Sequence, residues 1–216
     1  MSFRVERGER LAIVGPNGAG KSTTMAAIAG RLPTFRGLIQ LDGLDLRAIL
    51  PEARARIGFL PETVPCYDVL TVHEHLAFLR AFHPHWDQAA VDELLQRLRV
   101  DPAQQMGKLS KGTRVKVAYV AAEAIDPELL LLDEPTSGLD PVVRSELLEI
   151  VKERLRERPA RALIFSTHLL EDIDQIADRV LLIQEGRLRE DIPVAALSRE
   201  GMNTAQALYA RLRTHA

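Results

Sequence analysis

Residues Gly15 to Thr23 read GPNGAGKST, and no other segment restricts the folds open to this chain as strongly. Gly15, Gly20, Lys21 and Ser22 satisfy the phosphate-loop pattern G-x-x-x-x-G-K-[ST]. Leu11-Ala12-Ile13-Val14 in front of it reads as a short apolar strand. Thr23 to Ala29 behind it is Ala-rich and helix-forming, and Gly30 with Pro33 closes it. Strand, glycine loop and helix N-terminus, in that order, make an anion site: backbone N–H groups wrap phosphates and the helix dipole favours their charge. Gly15, Pro16, Asn17, Gly18, Ala19, Gly20 and Thr23 form the expected cradle. Lys21 is expected to reach the β- and γ-phosphates of a nucleotide, and the Ser22 hydroxyl to ligate Mg²⁺.

The rest of the chain supplies the fold that such a loop needs. Leu38 to Leu46 alternates around Asp42-Gly43, the pattern of a β-hairpin. Ile57 to Leu60 is a short strand ended by Pro61. Leu70 to about Leu98 turns helical, with one apolar stripe at Val72, Leu76 and Leu79 and a second at Val91, Leu94, Leu95 and Leu98, separated by Pro84. Leu129–Leu132, Ala162–Phe165 and Val180–Ile183 are continuous apolar runs, as in parallel strands buried on both faces. Helical stretches at Pro141–Glu157 and Leu169–Ala177 separate them. Strands alternating with helices predict an α/β fold with a mostly parallel sheet, an antiparallel β part and an inserted helical subdomain at 63–113, between core segments 1–62 and 114–216.

Composition narrows the classes. Among 216 residues, no apolar run approaches the ~20 residues of a membrane span, and charged residues follow Met1 too closely for a signal peptide. The single cysteine, Cys66, excludes an internal disulfide. A net charge of -2 gives no electrostatic case for nucleic acid. Arg154, Arg156, Arg158 and Arg161 alternate with Glu153 and Glu157, which reads as a solvated helix face.

A second half-site follows the run Leu129–Leu132. Asp133 at the end of such a strand suits Mg²⁺, a hard cation, and Glu134 beside it suits a group that orients or deprotonates an attacking water. The strand ending Ser166-Thr167-His168 is expected beside the Asp133 strand, which places His168 against a γ-phosphate.

This ordered set resembles the ATP-binding cassette ATPases of ABC transporters, from Phe3 to about Arg189. GPNGAGKST is similar to the family's Walker A, LLLLDEP to Walker B plus the catalytic glutamate, SGLD (ending in Asp140) to the D-loop, and STH to the switch histidine. The resemblance implies a P-loop NTPase that binds ATP and Mg²⁺, with Lys21, Glu134 and His168 catalytic. It also implies a second cassette as partner. Leu109-Ser110-Lys111-Gly112-Thr113 stands where the family has LSGGQ, so Ser110 and Gly112 are expected to contact ATP held by that second cassette. Lys111 and Thr113 depart from the pattern, and Lys111 reads equally as a phosphate contact or as a solvent-exposed side chain. Glu62 stands where the family has the Q-loop glutamine, and is expected near Mg²⁺ through water. The family's adenine-stacking aromatic belongs upstream of where this chain starts. The expectation is therefore a missing first strand and adenine platform, with Phe3 a core residue on the strand before Gly8-Glu9. One such stack is worth about 0.5–1.5 kcal/mol.

The helical insert and Leu109-Ser110-Lys111-Gly112 are similar to single-cassette subunits of bacterial ABC-2-type exporters, which work with separate membrane subunits. The resemblance thus implies a cytoplasmic chain on the inner face of the membrane, with no nucleic acid partner. Two other readings stay open: a soluble cassette ATPase acting on nucleic acid or the ribosome, and a low-turnover regulatory module. His73 with His75, and His83 with His85, lack the spacing and the further ligands of a metal site. Trp86 reads as a core or interface anchor, and Cys66 as an inert small side chain. Met202, Ala205, Leu208, Tyr209 and Leu212 share a weak stripe that would dock the tail on the core.

Overall fold

The computed structural model describes residues 1–197, 207, 208, 210 and 211. Its central sheet has six strands: β1 (Arg10–Val14), β4 (Ile57–Leu60), β5 (Leu129–Asp133), β6 (Ala162–Ser166), β7 (Arg179–Gln184) and β8 (Arg187–Pro193). They lie in the order β4-β5-β6-β1-β7-β8, all parallel except the final β7–β8 hairpin. A separate two-stranded antiparallel sheet pairs β2 (Gln40–Leu41) with β3 (Leu44–Asp45). Its turn is Asp42-Gly43, with φ of 50° and 80°. That left-handed pair is the turn that matches strand twist in a two-residue hairpin.

The apolar runs form strands because both faces of the sheet are covered. Ala12, Val14, Leu130, Leu132, Leu163, Phe165, Val180 and Leu182 point into one core cluster. The alternate residues Leu11, Ile13, Leu131, Ile164, Leu181 and Ile183 point into the other. On this second face lie α1 (Lys21–Ile28) and the short α2 (Leu50–Arg56); on the first lie α5 (Lys111–Glu123), α6 (Pro141–Glu157) and α7 (Leu170–Ile176). Leu131 is fully buried at the centre of the sheet. Leu131→Ala is expected to lower unfolding free energy by about 2–5 kcal/mol in chemical denaturation, the cost of a core cavity.

Between β4 and β5 the chain is helical: α3 (Val72–Arg80), α4 (Gln88–Arg97), a single 3₁₀ turn at Met106–Lys108, and α5. Thr71 starts α3 with a capping box: its hydroxyl accepts from the Glu74 N–H while the Glu74 carboxylate accepts from the Thr71 N–H. Asp87 caps α4 by accepting from Ala90 N–H, without the reciprocal bond. The stripes Val72–Leu76 and Val91–Leu94–Leu95–Leu98 are the buried faces, and Trp86 packs partly buried against the same cluster.

Two expectations change. Residues 1–9 carry no strand. The Arg4 carbonyl is taken by the Arg179 guanidinium, Gly8 N–H by Ala160 O, and Phe3 is half-buried at the edge of the second cluster. Turns and side chains satisfy this backbone in place of a ladder. The arginine cluster is a solvated face only at Arg156 and Arg158. Arg161, directly before β6, is 5% exposed and is locked between Glu123 (2.7 Å) and Asp126 (2.8 Å). The helical pattern of 70–98 is interrupted over 81–87, where Pro84 was expected to separate its two stripes. In the tail, Leu208 is buried, whereas Met202, Ala205, Tyr209 and Leu212 lie outside the described residues.

Candidate active site

Parallel strands end on one edge of the sheet, and in open α/β sheets ligands bind there. The register brings Asp133 of β5 opposite Ser166 of β6, and Ser166 opposite Ile13 of β1. The loops that leave these strands therefore meet. One cavity runs along them, lined by Asn17, Gly18, Ala19, Gly20, Lys21, Ser22, Thr23, Glu62, Glu134, Ser137 and His168. Gly15 and Pro16 support its floor through their carbonyls, which both accept from Lys21 Nζ, at 2.9 and 3.4 Å.

The loop conformation follows from its glycines. Gly18 and Gly20 hold φ of 79° and 101°, and Gly20 stands directly before α1. Left-handed glycines before a helix turn successive N–H groups toward one point, the anion nest. Gly15 is required for a different reason: a Cβ there would lie far inside 3.0 Å of the Ile183 carbonyl oxygen on β7.

Around this nest the charged side chains form one connected set. Lys21, 6% exposed, sits 3.5 Å from Glu134 Oε1. His168 Nδ1 lies 2.6 Å from Glu134 Oε2. Ser22 Oγ donates to Asp133 Oδ1 at 3.2 Å, and Ser166 Oγ to the same oxygen at 2.6 Å. Glu134 has φ of 49°, a backbone that costs a non-glycine residue about 1–3 kcal/mol. Its N–H donates to both Ser166 O and Ser166 Oγ, so the β6 strand end holds it there. Hydroxyl and carboxylate oxygens of Ser22 and Asp133, side by side, form a donor set suited to Mg²⁺, a hard divalent cation.

Glu62 is exposed on the rim of this cavity. Ser110, Gly112 and Asp140 are not among its lining residues. Ser110 caps α5 through Thr113 N–H (3.1 Å), and its hydroxyl also meets Thr113 Oγ1 at 2.9 Å. Thr113 therefore engages the Ser110 hydroxyl. Gly112 packs against Val143, and Lys111 extends over Gly138. Asp140 caps α6 through Val142 and Val143 N–H (3.1 and 3.0 Å), which commits its carboxylate to the helix. Sequence reasoning missed Ser166, the hydroxyl that joins Asp133 to the Glu134 backbone. The register of two adjacent strand ends was the signal for it.

The histidines of the insert are placed separately. His73 is exposed on α3 and His75 is buried, with Nδ1 lacking a hydrogen-bond partner; burial holds its imidazole below the ordinary value. Burial, then the nearby Arg31 charge, does the same to His83. Cys66 donates to Asp68 (3.6 Å), and burial pushes its thiol up, the opposite of an activated cysteine.

Comparison with known proteins agrees with this geometry. The family model described as ABC transporter matches residues 1–137. The Nod factor export ATP-binding protein I of Burkholderia lata is 35% identical over 208 residues, 93% of this chain and 67% of that protein. The bacitracin transport ATP-binding protein BcrA of Bacillus licheniformis is 33% identical over 195 residues, 89% of this chain and 63% of that protein. The chain thus spans roughly two thirds of the length of these relatives. A solved ATP-binding subunit of an ABC transporter superposes with a TM-score of 0.84 at 30% identity, covering 98% of this chain and 90% of the other. A phosphate loop, a strand-end Asp-Glu pair and a histidine, gathered on one sheet edge in this fold, are accounted for: the chain belongs to the family of ABC transporter ATP-binding cassettes, and it is an ATPase.

Proposed function

We propose that this ATPase powers a bacterial exporter whose membrane-spanning part is carried by separate chains, and that it works on the inner face of the cell membrane. Among the described residues no helix is long and apolar enough to cross a membrane, which fits a division of labour with membrane subunits. The relative named for Nod factor export supports the direction, and the one named for bacitracin transport supports a role in transport.

The observation that carries the mechanism is the convergence of Lys21, Glu134 and His168 on the cavity along the phosphate loop, with Asp133 hydrogen-bonded to its lining residue Ser22. Lys21 now spends its charge on loop carbonyls and Glu134. The β- and γ-phosphates of ATP are stronger partners, so Lys21 turns to them and leaves Glu134 free to accept a proton from water. His168, hydrogen-bonded to Glu134, orients that carboxylate and reaches the γ-phosphate. Ser22 and Asp133 would hold Mg²⁺, with Glu62 contributing through water. The ion neutralises charge on the phosphates when bound. Ser110 and Gly112 lie outside the cavity, at the N-terminus of α5, and complete the ATP site of a second cassette in trans. The helical segment 63–113 carries that surface, and 1–62 with 114–216 forms the nucleotide core.

Affinity capture of the tagged chain from detergent-solubilised native membranes, followed by mass spectrometry, tests the proposal. The expected result is a polytopic membrane protein that is lost when Glu62 and the helical insert are mutated. Recovery of ribosomal or DNA-repair proteins in its place would contradict it.

A further inference from the structure

Beyond the strand-end bonds from Glu134 N–H to Ser166, side chains join the loops that bear Glu134 and His168 twice. The first junction is the Glu134–His168 contact itself, in which the histidine side chain is 47% exposed. The second lies deeper. Two residues past Glu134, Thr136 Oγ1 donates to Asp172 Oδ2 at 2.5 Å. Asp172 stands four residues past His168, in the first turn of α7. Both partners are 1% exposed, and neither lines the nucleotide cavity. Arg144 of α6 donates to the other Asp172 oxygen, Nε at 2.8 Å and Nη2 at 2.6 Å, and reaches Glu171 at 3.1 Å.

We infer that Thr136 and Asp172 are positioning residues for hydrolysis, which set the Glu134–His168 geometry from below. The two junctions close a small ring: Glu134 to Thr136 along one loop, Asp172 back to His168 along the other. In that ring only the Thr136–Asp172 side is dry. A hydrogen bond between buried groups is costly to break, because each partner is left without water. A contact on a half-exposed histidine is cheap to break by comparison. The buried side therefore fixes how far apart the two loops stand, and the exposed side inherits that spacing. Arg144 leaves Asp172 one orientation by occupying its second oxygen. It also ties the ring to α6, whose first turn is capped by Asp140 from the same loop as Thr136. The Ser166 bonds hold the Glu134 backbone at φ 49°, a conformation it does not favour, and the Thr136–Asp172 bond braces the loop beyond it.

This inference rests on the reading that Glu134 and His168 act at the γ-phosphate, so the test carries that reading along. Steady-state ATP hydrolysis, ATP affinity and thermal melting are measured on the full chain as Thr136→Val, Thr136→Ser and Glu134→Gln. Valine keeps the shape of threonine and removes the hydroxyl; serine keeps the hydroxyl. The expected result is a kcat lowered on the order of 10- to 100-fold in Thr136→Val, the cost of a misplaced catalytic group. ATP affinity stays at the parent value, and kcat is restored in Thr136→Ser. A parental kcat in Thr136→Val, with Glu134→Gln inactive, overturns the inference and leaves the site intact. Lost ATP affinity in Thr136→Val makes the hydroxyl a brace of the whole fold and overturns the inference as well. Parental turnover in Glu134→Gln removes the reading of the site and the inference with it.

Discussion

Glu134→Gln loses steady-state ATP hydrolysis, by ~10²–10⁴ in kcat as for removal of a general base, while ATP binding survives. The argument is one of charge and shape. Glutamine fills the same volume and still offers an oxygen to His168 N–H, which Glu134 now engages at 3.3 Å. It cannot take a proton from water, and it cannot pair with Lys21, 3.5 Å away. Losing that pair frees the ammonium for phosphate, so ATP affinity is expected to hold or to rise. Phosphate release under saturating ATP, alongside equilibrium binding, checks both halves. Turnover at the parental rate would remove Glu134 from the mechanism.

Gly15→Ala abolishes useful ATP binding for a steric reason. The added Cβ runs into the Ile183 carbonyl of β7 and meets Ala19 Cβ at 3.1 Å. Neither can give way, since β7 lies between β1 and β8, Ile183 pairs with Leu188 of β8, and Ile183 is fully buried. The loop must then lift from the sheet, taking with it the Gly15 carbonyl that anchors Lys21. Overpacking of this kind costs about 1–3 kcal/mol, roughly 10- to 100-fold in affinity if the loop sheds the strain by opening. Gly18→Ala is the control. It has open space and a left-handed φ of 79° only, so its loss is smaller. Titration calorimetry of the two variants separates collision from backbone strain.

Much of this architecture was legible because the chemistry is local. Gly15 to Thr23 lies within one strand–loop–helix, and Asp133-Glu134 directly follows an apolar run buried on both faces. The runs at Leu129, Ala162 and Val180 became β5, β6 and β7 for the same reason. What was less legible depends on distant pairing. β8 reads Arg187 to Pro193 with four charged residues and a proline, yet it is a strand because Glu185-Gly186, with φ of 52° and 70°, folds it back on β7. Its two apolar residues pack on opposite clusters, Leu188 on the second and Ile192 on the first, with a register shift between them, so no single apolar face marks it. α2 has a charged sequence of seven residues with one buried position, Ala53, too short for a stripe. At the site, Ser166 follows only from the register of adjacent strand ends, and the Thr136–Asp172–Arg144 set joins loop and helix residues 36 and 28 positions apart that no local pattern links. The roles of Ser110 and Gly112 rest on the family pattern. The fold adds that the Ser110 hydroxyl is shared with Thr113, a residue that departs from that pattern.

On the proposed reading, the Gly15–Thr23 loop, with Lys21, holds ATP at this edge of the sheet. Titration calorimetry of ATP with Mg²⁺ into the parent chain and into Lys21→Ala tests it most directly. The account predicts a single saturable site in the parent and none in Lys21→Ala at the same concentrations, with both chains melting alike. Equal affinity and stoichiometry in the two chains would contradict it.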